Sequence, residues 1–97
     1  YTYDNNVYVK NINTNNSRTK IDVYYPYDII LLNNNNLYLA SFNGIYKYNL
    51  NENNTTKVST KRTTKLHQKD SFLYADDDGL TIYKIEDNGS LNSVYNA

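Results

Sequence analysis

Residues 37–50 read LYLASFNGIYKYNL. Two short runs with alternating apolar positions flank Asn43-Gly44. Alternation over a handful of residues is the mark of a half-buried strand. Asn-Gly supplies the positive φ values that a tight primed turn requires. The stretch therefore reads as a β-hairpin, with residues 37–42 expected to pair antiparallel with residues 45–50.

The pattern recurs. Shifting the chain by 35 residues lays YLASFNGIYKYNLNENN on LYADDDGLTIYKIEDNG. Gly44 then meets Gly79, Ala40 meets Ala75, Ile45 meets Leu80, Tyr48 meets Tyr83 and Leu50 meets Ile85. A shift of 38 in the other direction lays YTYDNNVYVKNIN on LASFNGIYKYNLN, so that Val7 meets Ile45, Tyr8 meets Tyr46 and Ile12 meets Leu50. Three copies follow, approximately 1–26, 27–62 and 63–97. In the middle copy the strands are expected at about 27–32, 37–42, 45–50 and 57–62. Gly44 and Gly79 are expected at equivalent turns with positive φ, and Asn88-Gly89 at a further turn before LNSVY. Pro26 falls between copies, where a residue that cannot donate to a central strand is tolerated.

Composition supports an all-β class. Tyrosine occurs 12 times among 97 residues, with Asn and Thr abundant. Tyr and Thr suit pleated surfaces, and Asn suits turns. Helical repeats of similar length are excluded, because no segment has the i, i+3, i+4 spacing of an amphipathic helix. Four-stranded units of about this length are the blades of β-propellers, which stack face to face around an axis. The expected fold is thus a β-propeller, present as about three four-stranded antiparallel repeats with one strand missing at the start. Closed propellers have about 4–8 blades. Further blades are therefore expected as partners, from the same polypeptide or from other copies. The absence of Met and the start within a blade point to a segment of a longer protein.

Residues 71–94, SFLYADDDGLTIYKIEDNGSLNSV, resemble the blades of lactonase-type propellers (6-phosphogluconolactonase and its relatives). Residues 33–49, NNNNLYLASFNGIYKYN, are similar to sensor-type propeller repeats with their G-L-Y-x-Y-D ending. The resemblance implies the blade frame. It carries over no catalytic residue.

Candidate chemistry is sparse. Ten basic and ten acidic residues leave no net charge, which removes the electrostatic footprint of a nucleic-acid binder. There is no cysteine, hence no disulfide, thiolate metal site or Cys nucleophile. No apolar run has the roughly 18 residues of a membrane span. Asp76-Asp77-Asp78-Gly79 could hold Ca²⁺, but residues 80–85 provide no further ligands, so the cluster reads as an acidic turn. His67 is the single histidine. It reads as a strand or loop residue, or, on an innermost strand, as one facing a central channel. Lys57, Lys61, Arg62, Lys65 and Lys69 read as a solvated crossover loop able to meet an anionic partner. Sequons at Asn15, Asn53, Asn54 and Asn88 favour an extracellular or surface setting. Tyr24, Tyr25 and Tyr27 around Pro26 read as packing between blades, with stacking on sugar as the alternative. No catalytic, cofactor-binding or metal-ligating residue is assigned, and no cofactor is expected.

The functional expectation is a non-catalytic scaffold that binds a protein or polymer through loops at one end. A hydrolase of lactonase type with its active site on other blades is one alternative. A secreted carbohydrate-binding or surface-assembly protein is another.

Overall fold

The computed structural model describes residues 2–3, 6–10, 18–32 and 35–97. Within them the chain is all-β, with three antiparallel sheets and no helix. The first sheet is β1 (Thr2–Tyr3), β2 (Asn6–Lys10) and β3 (Arg18–Ile21), in that order. The second is β4 (Pro26–Leu31), β5 (Asn36–Ser41), β6 (Gly44–Asn49) and β7 (Asn54–Ser59). The third is β8 (Lys65–Lys69), β9 (Phe72–Asp76), β10 (Leu80–Ile85) and β11 (Leu91–Asn96). Each is a meander in chain order.

The hairpin at residues 37–50 forms one residue earlier than its sequence suggests. Ser41 pairs with Gly44 and Leu39 with Tyr46, so Phe42-Asn43 makes the turn and Gly44 opens β6 at φ 141°. The side-chain faces are preserved, because both strand limits move together and the parity of pairing is unchanged. In the third sheet Gly79 does not take the positive φ; Asp78 does, at 70°. Gly89 adopts φ 87° and donates its N–H to Glu86 O, closing the turn from β10 to β11.

The fourth strand of the middle sheet begins three residues earlier than the expected 57–62. Asn49 explains the shift. Its Oδ1 accepts the N–H groups of Asn51 and Glu52, its carbonyl accepts Asn53 N–H, and Asn53 turns the chain at φ 56°. This closed turn delivers Asn54 directly opposite Asn49.

The middle sheet is buried on both faces. Leu39 and Tyr48 join Val7, Ile21 and Val23 in one core, against the first sheet. Tyr38, Ala40 and Ile45 join Leu66, Leu73, Ala75 and Tyr83 in the other, against the third sheet. Ala40 and Ala75 therefore face each other across an interface and are not equivalent positions, contrary to the shift of 35. The cause is turn length. The pair Ala40–Ile45 encloses residues 41–44, whereas the corresponding pair Asp76–Leu80 encloses only 77–79. One residue fewer moves β9 by one position and exchanges its faces.

Two polar contacts lock the second interface. Tyr38 is fully buried, and its hydroxyl donates to the carbonyl of Gly89 in the third sheet. Asp28 of β4 accepts Ile29 N–H at 2.9 Å with Oδ1 and Leu66 N–H at 2.8 Å with Oδ2. β8 is an edge strand, so alternate N–H groups lack a strand partner. The Asp28 carboxylate satisfies one of them.

Candidate functional site

Three separate loops converge at one end of the stack. The first is the crossover from β3 to β4, with Tyr24 and Tyr25. The second is the Phe42-Asn43 turn. The third is the crossover from β7 to β8, residues 60–64. Backbone hydrogen bonds join them: Phe42 N–H donates to Tyr25 O, and Thr63 N–H to Ser41 O. Asn43 Oδ1 accepts the Tyr46 hydroxyl, which fixes the turn from its own sheet. Lys61 N–H donates to Ser59 Oγ and Thr63 Oγ1 to Lys61 O, so Arg62 is held on both sides.

These loops and the start of β4 carry four aromatic side chains, Tyr24, Tyr25, Tyr27 and Phe42, each 45–56% exposed. Together they line a hollow of about 160 Å³. The Tyr24 ring stands edge-on to Tyr25 at 5.3 Å and to Phe42 at 6.0 Å. The Arg62 guanidinium lies 5.7 Å from the Tyr27 ring centre and 6.0 Å from that of Phe42. Arg62 also meets Asp78 at 3.5 Å, both side chains being solvent-accessible. Tyr25 sits at φ 47°, a left-handed conformation that is a genuine outlier for so bulky a residue. Such backbone strain concentrates at ligand clamps and switch regions. The three tyrosines around Pro26 thus line an open hollow and do not pack between sheets. Among the described residues the tyrosines buried between sheets are Tyr38, Tyr48 and Tyr83.

The other candidates separate. Asp77 Oδ2 accepts the Thr81 hydroxyl at 2.7 Å, Asp78 faces Arg62, and Asp76 is opposite Lys65 in the sheet. Among the described residues no three His, Asp or Glu side chains gather as a metal site. Isothermal titration of the chain with Ca²⁺ should accordingly show no one-to-one site of micromolar affinity. A stoichiometric isotherm lost on Asp78→Asn would refute this. His67 lies on β8, exposed, with its ring 6.2 Å from that of Tyr74. It borders an open depression with Asp28, Leu66, Asp76 and Leu80.

The basic stretch is mostly strand and not loop. Lys57 is on β7, Lys65 and Lys69 are on β8, and only Lys61 and Arg62 belong to the crossover. Asn53, Asn54 and Asn88 are exposed; Asn15 lies outside the described residues. Burial raises the Tyr48 phenol above its ordinary value of 10.0, and its hydroxyl donates to Asn53 Oδ1. No helix of the described residues is long and apolar enough to cross a membrane.

Comparison with protein-family models, with curated proteins and with solved structures finds no match to this chain.

Proposed function

We propose that the chain is a β-propeller segment whose sheets act as blades, and that it serves as a non-catalytic interaction scaffold binding through the loop end that holds the aromatic hollow. The observation that carries this reading is the burial of the middle sheet on both faces by its two neighbours. Stacked meanders joined by crossovers at a common end are the arrangement of propeller blades. Gly44 and Gly79 add support. A Cβ on Gly44 would stand 2.0 Å from Ser59 O, and one on Gly79 2.3 Å from Ala97 O. Each glycine thus meets the carbonyl of the same outermost position in its own sheet.

The outer face of the third sheet extends the reading. Tyr74 and Ile82 are half-buried there, and Tyr95 is 52% exposed. Tyr74 has the place that Tyr38 has in the middle sheet, where the third sheet covers it. Another sheet of the same kind, from the same polypeptide or another copy, is the partner this face fits.

The expected result is that residues 1–97, expressed alone, do not persist as a folded monomer. Light scattering combined with far-UV circular dichroism measures this. A cooperative monomer would defeat the scaffold reading. A discrete ring-sized oligomer would identify copies of the chain as the missing blades.

A further inference from the structure

We propose that the hollow formed by Tyr24, Tyr25, Tyr27 and Phe42, with Arg62 against two of its rings and Asp78 paired to Arg62, is a subsite for one pyranose ring of a neutral glycan. This inference deepens the scaffold reading by naming the polymer that its loop end takes. It uses the same loops but does not require a closed ring of blades.

Size and lining come first. A hollow of about 160 Å³ admits one ring, not a folded protein surface. Specific protein interfaces bury roughly 800 Å² per partner, which four side chains cannot supply. The occupant must be small and must present an apolar face. Aliphatic C–H groups on one side of a sugar ring meet that need, and perpendicular aromatic rings such as Tyr24 and Phe42 offer a wall and an edge.

The neighbouring ion pair then decides the charge of the occupant. Arg62 and Asp78 stand 3.5 Å apart and carry opposite charges. An anion would be attracted by one and repelled by the other, and the same holds for a cation. Arg62 also already lies near the two ring faces that a cationic ligand would use. A neutral group with adjacent hydroxyls matches both members: one hydroxyl accepts from the guanidinium and its neighbour donates to the carboxylate. Hydrogen bonds to charged groups are the stronger ones. An apolar peptide side chain in the same place would cover this pair and return nothing to it.

The strained Tyr25 is the independent sign that the hollow is built. Its left-handed backbone directs its carbonyl to Phe42 N–H and so couples the crossover to the turn. A glycine or asparagine would hold that conformation with less strain. Here the conformation is kept with an aromatic side chain whose ring lines the hollow.

Saturation-transfer difference NMR tests the proposal on the whole chain, in the assembly it adopts. The probes are the methyl glycosides of glucose, galactose, mannose and N-acetylglucosamine, with glucuronate and choline as charged comparisons. Transfer is expected to ring C–H protons on one face of at least one neutral glycoside. Binding should weaken at least about tenfold in Phe42→Ala and in Asp78→Asn. Asp78 is 80% exposed, so its variant should keep the wild-type circular dichroism spectrum. Glu52→Gln, in the exposed turn between β6 and β7, should bind as the parent does. No transfer to any neutral glycoside, binding confined to glucuronate or choline, or binding unchanged in Asp78→Asn would overturn the proposal. Light scattering on the same samples keeps the two readings apart. A stable monomer that binds a glycoside removes the scaffold and leaves the subsite; a ring that binds none does the reverse.

Discussion

Replacing Gly44 by valine should remove most of the stability of the fold. Two costs act together. The backbone there has φ 141°, a conformation that a β-branched residue strongly resists. A Cβ would also stand 2.0 Å from Ser59 O and 3.0 Å from Ser59 C, both backbone atoms that cannot swing aside. Strain and forced repacking contribute about 1–3 kcal/mol each, so a loss of about 2–6 kcal/mol is expected. At about 4–8 °C per kcal/mol for a chain of this size, the melting temperature should fall by about 8 °C or more. Gly79→Ala is the informative comparison. It has the same kind of overlap, at 2.3 Å from Ala97 O, without the positive φ. It should cost less than Gly44→Ala when both are measured at equal protein concentration. An unchanged melting temperature for Gly44→Val would mean that the β5–β6 hairpin is not as described.

Truncating Tyr38 to alanine should be nearly as damaging. Its side chain is fully buried between the second and third sheets, among Ile45, Leu73 and Tyr83. Removing a buried aromatic ring costs about 3–5 kcal/mol, through lost burial and the cavity left behind. Tyr38→Phe separates the ring from the hydroxyl. That variant keeps the packing but leaves the Gly89 carbonyl without this donor, for about 1–3 kcal/mol. Urea titrations with a common m-value would read both effects. Equal stability of the parent and Tyr38→Phe would show that the hydroxyl contact contributes nothing.

The strands were legible from residue types alone, because period-2 alternation and turn residues act locally. LYLASF and IYKYNL needed only a shift of one residue to match β5 and β6. What was not legible depended on turn length or on contacts far apart in sequence. The start of β7 was misplaced because the Asn49 side chain captures two N–H groups, a preference invisible in an alternation count. Ala40 and Ala75 were matched by a shift that did not register the shorter 77–79 turn. The aromatic hollow joins residues 24–27, 42 and 62, and nothing in the sequence says that their loops share an end. Asp28 left a signal that could have been read. It is the lone carboxylate in YDIILL, and a charged residue inside an apolar strand calls for partners. The Ile29 and Leu66 N–H groups are those partners.

In all three sheets the order of strands in space is their order along the chain. Among the described residues no backbone ladder joins one sheet to another. Communication between sheets passes through side-chain contacts and the crossovers. The stability of such a stack approximates a sum of per-sheet terms and nearest-neighbour terms, as in a one-dimensional Ising chain. A whole sheet could then be gained or lost, by duplication or deletion of its segment, without rethreading any other. A defect in the first sheet should reach the third only by weakening the middle one.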